Sequence, residues 1–281
     1  MERRYQTYGI ITRQNLPEAG GWQDRLRRHL QAGHPELAPA PAREAELLLV
    51  LGGDGTLLET LRDEALAKAT LLALNTGHVG FLTTERDPNR FLTTVEAALE
   101  GRLERMSVPV MEVLHQTRVA AHAYRAVNDL LVERTMVWST FRLEQVGPHR
   151  TDWLKDVRGS GLCLCSAIGS TSPMAAHFQA PLIDLQVPAF YVKGVNDRQP
   201  PTGGRIVSAA EGLALRLTLT EVEPNLGLPE DQRESPSLYL DGAYRGTLSI
   251  GDWIEVRAAK NTGTLLRWPN DLHHDRVRAS R

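Results

Sequence analysis

The sequence predicts an α/β domain with a parallel sheet followed by an all-β domain, and two patterns support this. Three short apolar runs near the start alternate with helical patterns, as in parallel sheets with helical crossovers. From residue 104 onward, short strand-like segments are separated by Gly, Pro and charged residues, which is typical of all-β domains. We therefore expect an α/β phosphate-binding domain over residues 1–103 and a β-rich domain over 104–264. The polar tail, 265–281, is expected to pack back on the first domain or to be loosely held.

The first apolar run, Tyr8–Thr12, is followed by helical spacing of large side chains and by a Pro/Ala-rich connection, Pro35–Ala42. The second run, Leu47–Leu51, has no polar residue, which is typical of a strand buried on both faces. A third run, Thr70–Leu74, precedes the polar segment Asn75–Thr84. In a parallel sheet the turns after the second and third runs lie at the same edge, where such sheets bind ligands.

The turn after the second run is Gly52–Thr56, with the sequence GGDGT. Its glycines provide backbone freedom and unobstructed amide groups, and helical spacing of leucines begins at Leu57. The N-terminus of a helix favours an anion by roughly 0.3–1 kcal/mol. Asp54 would repel a phosphate there unless it held a metal or took a proton, so we expect it to act in the chemistry. The alternative is an ordinary turn in which Thr56 or Asp54 caps the helix.

Composition limits the possible partners. The formal net charge of −2 gives no basic field, so we expect no nucleic-acid partner. No run approaches the roughly 20 apolar residues that a membrane helix needs, and the expectation is a soluble, cytoplasmic protein without a membrane partner. Cys163 and Cys165 are interpreted as small, reduced core residues, because a disulfide between residues two apart on a strand has poor geometry. His115 and His122 are interpreted as a chance surface pair.

Five segments together resemble the NAD kinase family. The turn at Gly52–Thr56 is followed by NTGHVGFLT from Asn75, and this second segment separates the family from lipid kinases, which share only GGDGT. Ala126–Asp129 is similar to the family's Asn-Asp/Glu signature, Gly161–Thr171 to its glycine-rich segment, and Leu240–Gly242 to its late Asp-Gly. The resemblance therefore covers most of the chain.

The resemblance implies phosphorylation of the 2′-hydroxyl of the adenosine ribose of NAD to give NADP, with ATP or inorganic polyphosphate as donor. It also implies a divalent metal, for which Mg²⁺ is expected although no protein ligand is assigned, and a homodimer or homotetramer. Asp54 matches the family's catalytic aspartate and is expected to take the hydroxyl proton. The predicted nucleotide-binding residues are Gly53, Asp54, Gly55, Thr56, Phe81, Asn128, Asp129, Arg158 and Thr171.

The chemistry of the residues from the second domain suits a nucleotide. The amide of Asn128 can recognise a base edge, and the carboxylate of Asp129 can accept hydrogen bonds from ribose hydroxyls. Arg158 resembles a basic residue near the ligand's phosphates, and Thr171 resembles a ligand contact. Taken alone, the Asn-Asp pair is equally typical of a polar turn, and the arginine of a solvated surface charge.

The chain departs from the family pattern in the second domain. Ser160 stands where the family has an aspartate, Ser166–Ile168 where it has Thr-Pro-Thr, and Ser172–Pro173 where it has Ala-Tyr. The lost aspartate removes a charged acceptor, and the lost tyrosine removes a stacking surface. These departures keep open the alternative of a catalytically silent nucleotide-binding or sensor protein. The shared GGDGT turn keeps open a lipid kinase of the diacylglycerol or sphingosine type, although the segment from Asn75 argues against it.

Overall fold

The computed structural model describes residues 5–12, 17–77, 80, 82–84, 87–134, 138–184, 187–197, 204–223, 235–260 and 263–269. These residues divide into two compact units, one within 1–108 and 261–281 and the other within 109–260. Phe81, which the sequence predicts to bind nucleotide, lies outside the described residues, as do residues 270–281 of the tail. Among the helices of the described part, none has the length and apolar character that a membrane crossing requires.

The first unit contains three helices and six strands among its described residues, numbered here in the order of the whole chain. They are β1 Thr7–Thr12, α1 Pro17–Gly33, β2 Ala38–Pro39, β3 Leu47–Gly52, α2 Asp54–Arg62, β4 Thr70–Asn75, α3 Phe91–Leu99, β5 Glu104–Val108 and, near the C-terminus, β18 Gly263–Arg267. The three apolar runs of the sequence are therefore strands, and the helical patterns between them are helices.

The strands of the first unit form one sheet in the order β2-β1-β3-β4-β18-β5. All neighbouring pairs are parallel except β18 and β5, which are antiparallel. The predicted α/β class is confirmed, but the sheet is mixed and not wholly parallel. The sequence placed the start of the second domain at residue 104, whereas Glu104–Val108 pairs with β18 in the first unit. Local patterns carry no information about this partner, because it lies more than 150 residues away along the chain.

The central strands of this sheet fix the position of the glycine turns. Every residue of β3 and β4 is buried, as a strand covered on both faces requires. One core cluster joins side chains of α1 and α3 to alternate residues of these strands, among them Leu26, Leu30, Leu49, Leu51, Leu72, Leu74, Phe91 and Val95. The parallel register runs from Leu47 opposite Thr70 to Gly52 opposite Asn75. The two strands therefore end side by side.

The second unit is β-rich, as predicted. Its elements are β6 Met111–Gln116, β7 Ala121–Ala126, β8 Asp129–Glu133, β9 Ser139–Val146, β10 Thr151–Gly159, β11 Gly161–Cys165, α4 Pro173–His177, β12 Ala189–Val195, β13 Arg205–Ser208, β14 Ala214–Val222, β15 Ser237–Leu240, β16 Ala243–Thr247 and β17 Trp253–Ala258. They form two antiparallel sheets, ordered β10-β9-β14-β17-β6-β7 and β13-β12-β11-β8-β15-β16.

One buried cluster draws side chains from both sheets of the second unit, including Leu130, Val132, Phe141, Leu143, Leu162, Leu164, Val192, Leu215, Leu217 and Val256. The two sheets therefore share a single core. Cys163 and Cys165 are buried and unbridged, with their Sγ atoms 3.7 Å apart. Both are reduced core residues, as the sequence suggested.

His115 corrects an expectation from the sequence. It lies on β6 directly opposite His122 of β7, and only 2% of its surface is exposed, so it is a core residue and not part of a surface pair. Within the described part of the chain, neither ring nitrogen has a hydrogen-bond partner. Burial lowers the pKa of His115, although Asp252 partly opposes this effect. The neutral imidazole is therefore the form that the core favours.

Candidate functional site

The predicted anion cradle joins β3 directly to α2. Gly53 is the N-cap of α2, with φ −95° and ψ −170°, and no side chain caps this helix. Asp54 is its first residue, so the alternative in which Asp54 or Thr56 caps the helix is wrong. A helix start without a capping side chain presents its first backbone N–H groups to solvent or to a ligand. This geometry suits an anion at the end of β3.

Thr56 supports the turn from inside. Its side chain is buried against Gly52, where an added Cβ would overlap Thr56 Oγ1 and Cβ. Its carbonyl oxygen accepts a hydrogen bond of 2.9 Å from the hydroxyl of Thr60. Glycine is thus required at position 52, because the close approach of the threonine leaves no room for a side chain.

The second glycine turn touches the first. The Thr76 N–H donates to the carbonyl of Gly52 at 3.1 Å, and the Gly77 N–H donates to Asn75 Oδ1 at 2.9 Å. A Cβ added to Gly77 would lie 3.3 Å from Gly53 Cα. The prediction that both turns lie at one edge of the sheet is confirmed.

Asp54 and Gly55 lie at the start of α2 in different environments. Asp54 Oδ1 accepts a hydrogen bond of 3.1 Å from the Leu82 N–H, which ties the helix to the segment after the second turn. This contact orients the carboxylate, which is only partly buried. A Cβ added to Gly55 would meet no atom within 4 Å. Protein packing therefore gives no reason for glycine at position 55, whereas a ligand in that open space would.

In the second unit, Asp241 organises the segment that carries Asn128 and Asp129. The Asp241 carboxylate accepts hydrogen bonds from three successive backbone N–H groups, those of Val127 at 3.1 and 3.0 Å, Asn128 at 2.7 Å and Asp129 at 3.2 Å. Hydrogen bonds to a charged carboxylate are about twice as strong as neutral ones. Asp241 thus holds the predicted nucleotide-binding segment in place.

Sequence reasoning matched Asp241 to a family motif but gave it no role. Asp241 and Gly242 form the two-residue turn between β15 and β16, with φ values of 48° and 77°. Both values lie in the left-handed region, which an Asp-Gly hairpin turn requires. That dipeptide, directly after the strand Ser237–Leu240, was the signal for a tight turn. The partner of its carboxylate, more than 110 residues away, had no local signal.

Asp129 is a buried carboxylate in the second unit. Its oxygen Oδ2 accepts a hydrogen bond of 3.2 Å from the Ser172 hydroxyl, and both residues are less than 8% exposed. Burial first, and the charge of Asp241 second, raise the pKa of Asp129 to about 6, while the Ser172 hydrogen bond lowers it. This carboxyl group therefore titrates close to neutral pH.

The glycine-rich segment packs directly on Asn128. A Cβ added to Gly169 would overlap the Asn128 carbonyl, so glycine is required there. The Ser166 hydroxyl donates to the Val127 carbonyl, and the Thr171 hydroxyl donates to the Ile168 carbonyl at 2.9 Å. The structure therefore brings the Asn128–Asp129 pair together with the segment that ends in Thr171.

Arg158 lies on β10, opposite Thr140, and is half-buried. Ser160, two residues further on, occupies the position where the family pattern has an aspartate. Its Oγ accepts a hydrogen bond of 3.0 Å from Asn196 Nδ2 and donates weakly to the Val195 carbonyl at 3.4 Å. A neutral pair of side chains thus stands where a charged acceptor was expected.

Among the described residues, no group of three or more His, Cys, Asp or Glu side chains could hold a metal ion. Mg²⁺ is usually bound through one or two carboxylates together with substrate phosphates and water. Asp54 is the carboxylate at the cradle and fits this mode of binding. An ion here would be held mainly by the phosphates.

Comparison with known proteins agrees with this geometry. Residues 15–103 match the family model described as the ATP-NAD kinase N-terminal domain. The NAD kinase of Symbiobacterium thermophilum is 27% identical over 292 residues, covering 96% of this chain and 97% of that protein.

Two solved structures share the fold. The chain superposes on yeast NADH kinase complexed with NADH with a TM-score of 0.76 at 17% identity, covering 95% of this chain and 85% of the yeast chain. It superposes on an NAD kinase from Archaeoglobus fulgidus in complex with ATP with a TM-score of 0.69 at 17% identity, covering 97% and 99%. The chain is thus similar to an NAD kinase over nearly its whole length, and residues 15–103 match the N-terminal domain of the ATP-NAD kinases.

Proposed function

We propose that this protein phosphorylates the 2′-hydroxyl of the adenosine ribose of NAD to give NADP, using ATP or another donor such as inorganic polyphosphate. The observation that carries the proposal is the contact between the two glycine turns, which places Asp54 at the start of an uncapped helix. The relatives agree, since the yeast structure contains NADH and the Archaeoglobus structure contains ATP.

The first unit supplies the phosphate cradle in this proposal. Phosphoryl transfer depends mainly on positioning and on neutralising charge. The backbone N–H groups at Gly53 and Gly55 lie at the positive end of α2 and can donate to phosphate oxygens. The Thr56 side chain packs on Gly52 and so contributes to the shape of the turn.

Asp54 is the proposed general base. Its carboxylate is oriented by the Leu82 N–H and accepts the proton of the ribose hydroxyl as that oxygen attacks the terminal phosphorus. The bond from this phosphorus to the bridging oxygen breaks, and ADP or a shortened polyphosphate leaves. A bound divalent ion such as Mg²⁺ would supply charge neutralisation at the phosphates. Asp54, whose charge would repel a phosphate in a simple anion site, thus has a chemical role in this proposal.

The second unit supplies the proposed nucleotide-binding residues. In this proposal Asp129 accepts hydrogen bonds from ribose hydroxyls, and Asn128 recognises a base edge. The three hydrogen bonds to Asp241 fix the backbone of this pair, which favours a preformed site. Arg158, Thr171 and Phe81 remain proposed ligand contacts. We further propose a homodimer or homotetramer that acts in the cytoplasm, as the resemblance implies.

The direct test is to incubate the purified protein with Mg²⁺ and NAD, and with either ATP or polyphosphate, and to measure NADP. We expect NADP with at least one donor. If NAD or NADP binds but no NADP forms with any donor, the result would support the silent nucleotide-binding alternative. The departures at Ser160 and Pro173 are the reason for considering it. Phosphorylation of diacylglycerol or sphingosine in place of NAD would support the lipid kinase alternative, which none of the reported relatives favours.

Replacement of Asp54 by Asn should lower kcat about 10²–10⁴-fold, because the general base is lost while the shape of the side chain is kept. The affinity for NAD, measured by calorimetry, should change little. Asp63→Asn is the matched control, since Asp63 lies just beyond the other end of α2 and bonds only the next turn through the Ala65 N–H. An Asp54→Asn protein that keeps near-full activity would refute the assignment.

Replacement of Gly55 by Ala should raise the stability of the protein and lower its activity. The methyl group meets no protein atom, so the helix should gain up to about 1 kcal/mol of stability. It would intrude on phosphates bound in the open space, so kcat/KM should fall by at least tenfold. Gly21→Ala in α1, where a Cβ also meets no atom within 4 Å, should leave kcat/KM unchanged. Equal activities of both variants would argue against a ligand beside Gly55.

Replacement of Asp129 by Asn should stabilise the protein while weakening NAD binding. The folded pKa of about 6 lies above the ordinary 3.8, so the folded state binds the proton more tightly and loses stability as pH rises between these values. Ionised Asp129 thus costs roughly 2–3 kcal/mol at pH 7.5. Urea unfolding should show this gain for Asp129→Asn at pH 7.5 and a smaller gain at pH 5. Asp152→Asn, on the surface, serves as control. A loss of stability in Asp129→Asn at pH 7.5 would contradict the prediction.

A further inference from the structure

Ser172 makes two hydrogen bonds at the edge of the proposed nucleotide site. Its Oγ accepts from the Ala175 N–H at 3.2 Å, which caps α4, and donates to Asp129 Oδ2 at 3.2 Å. Capping is an ordinary task for a serine before a helix. The second bond has no role in the helix, and it joins a hydroxyl to a carboxylate that the proposed function uses.

The surroundings of Asp129 make this hydroxyl its main support. The charged and titratable groups that face Asp129 are Asp241, from the turn between β15 and β16, and the thiols of Cys165 and Cys163 on β11. None of these is a cation. Asp241 is occupied by the backbone N–H groups of residues 127–129. Among the described residues, Ser172 is the one side-chain hydrogen-bond donor to the Asp129 carboxylate.

We propose that Ser172 is a positioning residue for nucleotide binding, whose hydroxyl holds the Asp129 carboxylate oriented and ionised so that it can accept hydrogen bonds from the ribose. The proposal rests on the proposed function, since it takes Asp129 to bind a ribose. Ser172 acts through Asp129 and does not itself touch the ligand.

The chemical consequence is a shift in the pH range of nucleotide binding. Burial and the charge of Asp241 favour the protonated carboxyl, whereas the Ser172 hydrogen bond favours the ionised one. Protonation changes one oxygen from acceptor to donor, which weakens its bonds to ribose hydroxyls. Affinity for the nucleotide should therefore fall as pH drops through the pKa of about 6. Without the hydroxyl, this fall should occur at a higher pH.

The first test needs no ligand. The full-length protein, labelled with ¹³C at aspartate Cγ, is titrated by NMR, and the Asp129 signal is identified by its absence in Asp129→Asn. Ser172→Ala should raise the midpoint of Asp129 by roughly half a pH unit or more, and Ser172→Thr, which keeps the hydroxyl, should restore it.

Ser170→Ala is the matched control for this titration. Ser170 is a buried serine in the same segment, and among the described residues its hydroxyl bonds only the backbone of Ala167 and Ile183. We expect its loss to leave the Asp129 midpoint unchanged. An unchanged midpoint in Ser172→Ala, or an equal shift in Ser170→Ala, would overturn the proposal.

The second test measures the Kd of NAD and NADH by calorimetry between pH 5.5 and 8.5. In Ser172→Ala, affinity should be lost at a higher pH than in the wild type, by the same interval as the shift of the Asp129 midpoint. At pH 8.5 the affinity should be near the wild-type value. In an Asp129→Asn background, Ser172→Ala should have no further effect on the pH profile. A serine that only caps α4 would instead weaken binding equally at every pH, with or without Asp129.

These outcomes separate the proposal from the kinase activity. Shifted midpoints in a protein that makes no NADP would support the role of Ser172 and refute the kinase function. NADP formation with unshifted midpoints would refute the role of Ser172 alone. Failure of NAD and NADH to bind at any pH would remove Asp129 as a ribose contact and overturn the proposal.

Discussion

The proposed phosphate site depends on the contact between two glycine turns at the ends of adjacent parallel strands. The register of β3 and β4 ends with Gly52 opposite Asn75, so the chain leaves both strands at the same level. Gly77 then lies so close to Gly53 that a Cβ added to it would be 3.3 Å from Gly53 Cα, which is a tight contact. This approach lets the Leu82 N–H reach Asp54. The orientation of the proposed base therefore follows from strand register and from the absence of side chains.

The second unit uses charge in a different way. Asp241 gathers three backbone N–H groups and fixes the segment of Asn128 and Asp129. The same charge, together with burial, raises the pKa of Asp129 and opposes its ionisation. Asp241 thus orders the backbone but makes ionisation of Asp129 less favourable. The Ser172 hydroxyl partly offsets this effect. Sites with such opposed effects commonly lose stability in return for function.

Features that depend on neighbours in sequence were predictable. The buried runs that became β3 and β4, the turn at Gly52, the reduced cysteines and helix α3 all have local signals in apolar pattern and turn chemistry. Features that depend on contacts between residues far apart in the sequence were not predictable. The insertion of β18 between β4 and β5, the bonds from Asp241 to residues 127–129 and the burial of His115 arise from tertiary contacts. Sequence periodicity alone does not identify those partners.

The same distinction explains why the motifs agree closely with the family in the first unit and diverge in the second. The proposed phosphate cradle is made from backbone, and an added side chain at Gly52 would overlap Thr56. Such a site tolerates few substitutions. The nucleotide-binding residues proposed in the second unit act through their side chains, whose hydrogen bonds different residues can supply. Ser160, which stands where the family pattern has a charged acceptor, bonds Asn196, and the Ser172 hydroxyl bonds Asp129. In the proposed function, such divergence would change how the second unit holds a nucleotide without altering the backbone geometry around Asp54.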